Sequence, residues 1–409
     1  MRRRQFTKYC RMLFISLLFL FGVIHMGRIT IHAESVRGVT DTTIKIGLIC
    51  DLTGPIAGDI GLPANETISI YTKHINEAGG IFGRKVKLFV EDDRYSIPAA
   101  IAAFKKLIFK DQIFALVGPV SVGGNKALFR QIDKHGVPNI SVAPDEAMVR
   151  PLRKYTFMPF NLYDDQLGVI FDYILRDLKP PEIKITFVYF DAESGKVGLA
   201  SVKKWCDFFD IPLNTEMINM GALDATSQVM SIKRKKPTHI LIHHGAPGTA
   251  LLLRDLQKFG MNTPVYGTTI ALTEDTVRMA GSASRNCTGS LPFSPWYGAM
   301  EGPRKMREII LQYKPGTEKP YRSMVYTAGW VGAMTLYEGI RRAGRNLTVE
   351  NLLAGLESFK DFDTKGLCGP VNFSPKNHQG LYHSKLYKAD PDNGILVPIT
   401  DWRKAPATK

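Results

Sequence analysis

Residues 48–61, LICDLTGPIAGDIG, contain the turn that decides the fold. An apolar run ends abruptly in a loop with glycines at positions 54, 58 and 61, and a helix-like stretch follows. A strand, a glycine loop and a helix in this order are typical of proteins that bind phosphate groups. However, no Gly-Lys-Ser/Thr follows, and Pro55 lacks the backbone N–H that a phosphate cradle uses. The turn therefore predicts an α/β protein and argues against a nucleotide site.

Short apolar strands alternate with amphipathic helices along most of the chain. The alternation covers residues 44–142 and begins again at residue 163, which predicts two parallel sheets flanked by helices, with a cleft between the two lobes. The predicted strands are 44–50, 85–92, 114–118, 137–142, 183–190, 213–220, 239–244 and 263–267, with further β-like segments near the C-terminus. The predicted helices are 63–78, 97–110 capped by Ser96, 124–135, 163–178, 195–209, 248–260, 302–313, 323–343 and 348–356.

The first 33 residues have the composition of a secretory signal peptide. A basic start is followed by an apolar run of 13 residues at 12–24, which is shorter than the roughly 20 residues that a membrane-spanning helix needs. We expect cleavage near Ala33 and a periplasmic or otherwise extracytoplasmic location. The segment RRRQFTK also resembles a twin-arginine export signal.

Charge and cysteine content limit the kinds of partner. Without the leader the formal charge is about +9, and the basic residues are scattered except for KRKKP at 233–237, so we expect no nucleic-acid partner. Four cysteines remain, at positions 50, 206, 287 and 368, and export exposes them to oxidation. Four cysteines allow three pairings, and the sequence does not choose among them.

Several strand-to-helix turns contain residues that could act chemically. Ser121 and Gly123 open a helix, where free backbone N–H groups favour a carboxylate ligand, and the alternative is a tight turn with a capping serine. His239, His243 and His244 are more typical of a core and strand-end group than of a metal site. No nucleophile has a recognisable base partner. We therefore expect no enzyme, no metal and no cofactor.

Five segments resemble one family in their order along the chain. They are IKIGLICDLTGPIAGDIG, INEAGGIFGRKVKLFVEDD, GPVSVGG, GVPNISVAP and FGMNTPVYG, and YTAGWVGAMTLYEGIRRAG resembles a long helix of the same family. The family is that of the branched-chain amino-acid-binding proteins, the type I periplasmic solute-binding proteins of ABC importers. The resemblance implies two Rossmann-like α/β lobes joined by three crossing segments, with a ligand trapped by hinge closure.

The resemblance also implies lobe limits and a set of site residues. Lobe 1 would comprise 42–160 and 297–378, and lobe 2 would comprise 161–292 and 379–409, with crossings near 159–163, 291–297 and 375–382. The candidate ligand-binding residues are Asp59, Ile60, Tyr95, Ser121, Val122, Gly123, Ala143, Pro144, Asp145, Ser194, Gly245, Thr269 and Trp296. The disulfide usual in lobe 1 would need cysteines near Tyr95 and Ser121, and neither residue is cysteine.

The chain departs from the family pattern at positions that hold an amino acid. Asp145 stands where a hydroxyl is usual and would repel a ligand carboxylate unless it is protonated or bridged. Thr269 replaces the acid that pairs with the ligand ammonium, and Ile60, Ser194 and Gly245 stand where tyrosine is common. We therefore expect a ligand other than a standard branched-chain amino acid, unless Asp145 or Glu193 takes over the missing role.

The expected partners are a small solute and a membrane permease. The solute would be an amino acid or, preferably, a carboxylate, an amide or an aromatic acid, and the protein would act as a monomer. Two alternatives are a sensory binding protein that signals to a membrane receptor and, more remotely, a hydrolase on the same fold.

Overall fold

The computed structural model describes residues 36–316 and 322–407. The predicted signal peptide at 1–33 therefore lies outside the described residues. Within those residues no helix is long and apolar enough to cross a membrane.

The first sheet is built around the strand that ends in the opening turn. Its order is β2-β1-β3-β4-β5, and all neighbouring strands are parallel. The strands are β1 Thr43–Cys50, β2 Lys85–Asp92, β3 Ala115–Val117, β4 Asn139–Ile140 and β5 Thr156–Phe157. The inner strands β3 and β4 are buried at every residue, as expected for a parallel sheet covered on both faces.

The second sheet is mainly parallel and carries an antiparallel edge. Its main order is β12-β11-β10-β9-β8-β6-β7, with β11 antiparallel to β10, and β13 also pairs with β11. The strands are β6 Ile185–Tyr189, β7 Leu213–Met217, β8 His239–His243, β9 Val265–Gly267, β10 Cys287–Leu291, β11 His383–Asp390, β12 Ile395–Pro398 and β13 Arg403–Lys404.

Helices cover both sheets. In the described residues they are α1 Leu62–Glu77, α2 Ile97–Lys106, α3 Val122–His135, α4 Tyr163–Asp172, α5 Glu193–Phe209, α6 Thr226–Lys235, α7 Ala246–Lys258, α8 Glu274–Ala280, α9 Glu301–Tyr313, α10 Val325–Ala343 and α11 Val349–Glu357. Although α10 follows strands β6–β10 of the second sheet in sequence, it packs on α1. The Tyr71 ring on α1 lies 4.5 Å from the ring of Trp330 and stacks 5.7 Å from that of Tyr337. The late helices therefore complete the first half of the molecule.

Some predicted elements differ from the structure. The predicted helices 97–110 and 163–178 end early as α-helices and continue as π-helical turns at Leu107–Asp111 and Tyr173–Leu178. Ser96 stands at the N-cap of α2, but its side chain makes no capping hydrogen bond. The predicted strand 137–142 pairs only at Asn139–Ile140, because its neighbour β3 has three residues. The short elements β5, β10, α6 and α8 were not predicted.

The glycines of the opening stretch differ in the space around them. A Cβ on Gly61 would lie 1.5 Å from the carbonyl oxygen of Asp51, whereas a Cβ on Gly58 would have no neighbour within 4 Å. Gly61 thus allows the start of α1 to pass directly against the end of β1.

Replacing Gly61 by alanine is therefore expected to destabilise the protein by about 1–3 kcal/mol or more, because backbone atoms must move apart. Gly58→Ala is the matched control in the same turn and should change the free energy of unfolding by less than about 0.5 kcal/mol. Urea unfolding measures both values. Equal effects of the two substitutions would contradict the close approach at Gly61.

Candidate functional site

A cavity of about 390 Å³ lies beyond the carboxyl ends of the strands. Its wall is formed by the turns after β1, β2, β3, β4, β6, β7, β8 and β9, by residues 292–293, and by the start of α10. Both sheets therefore contribute to one enclosed space. This is the place where open parallel sheets bind their ligands.

The wall of the cavity is predominantly apolar. Its apolar side chains include Ile56, Ile60, Val120, Val122, Val142, Phe160, Phe190, Met220, Leu251, Ile270, Phe293, Met324 and Val325. The polar lining consists of Asp59, Tyr95, Tyr163, Ser194, Asn219, His244, Arg254, Thr269 and Thr273. Such a wall suits a solute with a sizeable apolar body and few polar groups.

Eight of the thirteen predicted residues line this cavity. They are Asp59, Ile60, Tyr95, Val122, Pro144, Ser194, Gly245 and Thr269. Ser121, Gly123, Ala143, Asp145 and Trp296 are absent from the lining. Contact between the eight residues and a ligand remains a prediction.

Ser121 has a structural role at the start of α3. Its Oγ accepts a hydrogen bond of 3.1 Å from the backbone N–H of Gly124, and the side chain is buried. The structure thus shows the capping serine that was the alternative to an anion site. Gly123 faces α5 instead of the cavity, since a Cβ there would lie 3.3 Å from Cγ of Glu193.

Asp145 is engaged by a lysine. Its Oδ2 lies 2.8 Å from Nζ of Lys126, and its Oδ1 accepts a hydrogen bond from the backbone N–H of Ala147. The same Lys126 lies 3.6 Å from Glu193. The expected repulsion between Asp145 and a ligand carboxylate is therefore removed, because the charge is paired outside the cavity.

Trp296 and Ala143 lie in the packed interior. The Trp296 ring is almost completely buried and lies 5.3 Å from the Arg322 guanidinium. The backbone carbonyl of Trp296 accepts a hydrogen bond of 2.6 Å from the Arg307 side chain. Ala143 is likewise buried in the core cluster around the first sheet. The sequence predicted that both residues lie near the cleft, but it did not reveal that their side chains point into the core.

His243, at the end of β8, is hydrogen-bonded to two hydroxyl side chains. His243 Nε2 lies 3.0 Å from Ser194 Oγ, and its Nδ1 lies 2.8 Å from Thr268 Oγ1. Burial lowers the pKa of His243 to about 3, so the ring is neutral. A serine hydrolase would place a carboxylate where Thr268 stands. In the described residues, no group of three or more His, Cys, Asp or Glu side chains could hold a metal ion.

Sequence reasoning missed several residues of the wall. Phe160 and Phe293 come from the segments that connect the two halves, and their rings meet edge to face at 5.0 Å. Residues 219–223 form the turn after β7. Tyr163 begins α4 and packs edge-on against His243 at 4.3 Å. The rule that ligands bind beyond strand ends would have found residues 219–223. The two phenylalanines follow β5 and β10, which the sequence pattern does not predict.

The four cysteines of the described region are unpaired. Cys50, Cys206, Cys287 and Cys368 are all buried as free thiols, and burial raises the pKa of each to about 12. None of the three pairings left open by the sequence occurs.

Two mainly parallel sheets flanked by helices, with an enclosed cavity between their strand ends, define a two-lobed binding protein of the type I periplasmic class. The family model for periplasmic binding proteins matches residues 43–394, and the chain belongs to this family. The predicted family and fold class are thereby confirmed.

Relatives with curated descriptions are binding proteins and not enzymes. The chain is 28% identical over 238 residues to the Leu/Ile/Val-binding protein BraC3 of Rhizobium johnstonii, a match that covers 55% of this chain and 60% of that protein. It is 26% identical over 308 residues to the leucine-, isoleucine-, valine-, threonine- and alanine-binding protein of Pseudomonas aeruginosa, covering 74% and 79% of the two chains.

Solved structures show the same fold. A branched-chain amino acid ABC transporter protein from Thermus thermophilus with bound valine has a TM-score of 0.83 at 20% identity, covering 90% of this chain and 97% of that chain. A fatty acid ABC transporter substrate-binding protein from Thermomonospora curvata has a TM-score of 0.79 at 23% identity. The match covers 91% of this chain and 95% of that chain.

A buried acid beside the cavity links the two halves. Glu274, at the start of α8, accepts a hydrogen bond of 3.0 Å from the backbone N–H of Met324 through Oε2. Burial raises the pKa of Glu274 to about 7. The protonated acid is therefore the form that the folded protein favours.

Replacing Glu274 by Gln is expected to alter the pH dependence of stability. The folded protein binds more protons than the unfolded chain between the ordinary pKa of 4.5 and the raised value of about 7. The stabilisation that protonated Glu274 gives the folded protein is thus fully present below pH 4.5 and is lost as the pH rises through about 7. Gln stays neutral at every pH. The free energy of unfolding of the variant, minus that of the wild type, should therefore rise by up to about 1.4 kcal/mol per pH unit.

Urea unfolding at several values between about pH 5 and pH 8 measures this difference. Subtracting the wild-type value removes the opposite contribution of His243, whose pKa is lowered. Glu301→Gln changes an exposed acid in the same way and is the matched control. A difference that stays constant with pH would show that Glu274 is ionised throughout.

Proposed function

We propose that this protein is an extracytoplasmic solute-binding protein that captures a small solute in the cavity and delivers it to the permease of an ABC importer. The observation that carries the proposal is the enclosed apolar cavity, whose wall comes from the strand ends of both sheets. The two solved structures described above, from Thermus thermophilus and Thermomonospora curvata, are named as ABC transporter proteins, which supports delivery to a permease.

The proposed solute has an apolar body and is not a standard branched-chain amino acid. Thr269 lies in the cavity wall where the family uses an acid, and both acids that could replace it contact Lys126. An α-ammonium placed as in the family would lose its charge partner at position 269, a loss typically worth about 2–5 kcal/mol. A carboxylate, an amide or an aromatic acid fits the wall better.

The eight predicted residues that line the cavity are the proposed contact residues. The proposed lobes are 42–160 with 297–378, and 161–292 with 379–409. Strands β1–β5 fall in the first lobe and β6–β13 in the second, which supports this division. Export through the leader at 1–33 and a monomeric state belong to the same proposal.

Ligand binding is expected to close the cleft. Purified protein should be screened by thermal shift against leucine, valine, and panels of carboxylates, amides and aromatic acids. A ligand at about one hundred times its dissociation constant adds about 2.7 kcal/mol of stability. The best ligand should also reduce the radius of gyration in solution scattering, because the two halves approach each other.

Native mass spectrometry of the solute that co-purifies with protein exported by its own host complements the screen. Stabilisation by leucine or valine alone would refute the proposed ligand class. An unchanged radius of gyration at saturating ligand would refute closure around the cavity.

A further inference from the structure

Asp59 is an acidic side chain in the wall of the cavity. It lies in the π-helical turn Ala57–Gly61 between the opening loop and α1. Such turns occur frequently at functional sites, because the extra residue changes the direction of one side chain. Here the turn places a carboxylate among apolar neighbours such as Ile56 and Ile60.

Among the described residues, the Asp59 carboxylate forms no ion pair with a basic side chain. Burial, together with the negative charges of Asp275 and Asp51, raises its pKa to about 6. The groups that favour the ionised form are backbone groups at Asp59 itself and at Ala246, and no basic side chain of the described region is among them. A desolvated carboxylate without a cation is a candidate for ligand recognition.

The position of Asp59 is fixed by the opposite half of the molecule. A Cβ on Gly245 would lie 3.1 Å from Oδ2 of Asp59, so the carboxylate rests against the first turn of α7. The two halves therefore meet at the point where this acid faces the cavity.

The neighbouring acids are already engaged. Lys126 contacts Asp145 and Glu193. Asp51 accepts hydrogen bonds from the backbone N–H groups of Gly54 and Ile56. None of these three acids lines the cavity, so Asp59 is the carboxylate available to a ligand.

A second acceptor of the cavity wall is His244, which precedes Gly245 in the chain. His244 is 4% exposed, and its Nε2 lies 3.1 Å from the carbonyl oxygen of Ile218, which requires the proton on Nε2. Burial lowers the pKa of His244, so the ring is neutral and Nδ1 is an acceptor. This Nδ1 is buried and has no hydrogen-bond partner in the described residues.

Two acceptors in the cavity wall favour a ligand that donates hydrogen bonds. We propose that Asp59 determines specificity by accepting an N–H group of the solute, so that the solute is an amine or an amide with an apolar body and not a bare carboxylate. This inference rests on the proposed function: it keeps the amides of the proposed ligand class, excludes the bare acids and adds amines. Arg254 also lines the cavity, but its side chain is exposed, which weakens its attraction for a carboxylate.

Two matched sets of compounds test the proposal. Phenylpropylamine, phenylpropanamide and phenylpropanoate share one aromatic body, and hexylamine, hexanamide and hexanoate share one aliphatic body. Titration calorimetry on the wild-type protein should show binding of the amine or the amide of at least one set. The acid of that set should bind about tenfold more weakly or worse.

Asp59→Asn keeps the shape of the side chain and removes its charge. The substitution should lower the affinity for the amine about tenfold or more. It should lower the affinity for the amide less, because Asn retains an acceptor oxygen. Asp177→Asn is the matched control, since Asp177 pairs with Arg403 away from the cavity and should leave all affinities unchanged. The thermal midpoint of each unliganded variant checks that it is folded.

Three outcomes would overturn the proposal: an acid that binds as tightly as its amine and amide, an equal effect of Asp59→Asn on all three compounds, or no binding by any amine or amide. A co-purifying solute without an N–H group would overturn it as well. If one of the acid compounds reduces the radius of gyration in solution scattering, the proposed function stays intact. If neither the compounds nor the co-purified solute reduce the radius of gyration, the proposed function fails too.

Discussion

The turn after β1 is the constraint on which the site depends. The Asp51 carboxylate accepts the backbone N–H groups of Gly54 and Ile56, and Gly61 passes so close to the Asp51 carbonyl that no Cβ fits between them. These contacts reverse the chain directly after the buried end of β1. They fix the start of α1, on which α10 packs, and they hold the π-helical turn that carries Asp59 at the cavity.

The alternation of apolar strands and amphipathic helices was sufficient to predict the two-sheet architecture, because burial on both faces leaves a clear pattern. It did not predict β10, because the first four of its residues CTGSL are small or polar. That strand is buried because β9 and β11 enclose it, a tertiary effect that leaves no local signal. The π-helical turns were missed for the same reason, since local helix patterns do not reveal one additional residue.

The site could be predicted to the level of its turns but not of its side chains. Strand-end turns located Asp59, Tyr95, Ser194 and Thr269 at the cavity. Whether a polar residue in such a turn faces a ligand depends on its competing partners. Lys126 is nineteen positions from Asp145 in the chain, and only the folded structure brings their charges within 2.8 Å.

The four buried thiols have a practical consequence. With pKa values of about 12 and no exposed sulfur, they are nearly inert to maleimide reagents at neutral pH. A chain lacking the leader can therefore receive one engineered surface cysteine on each half and be labelled there selectively, without removing the native four. A donor and an acceptor dye at those positions would convert the protein into an optical sensor of its own solute.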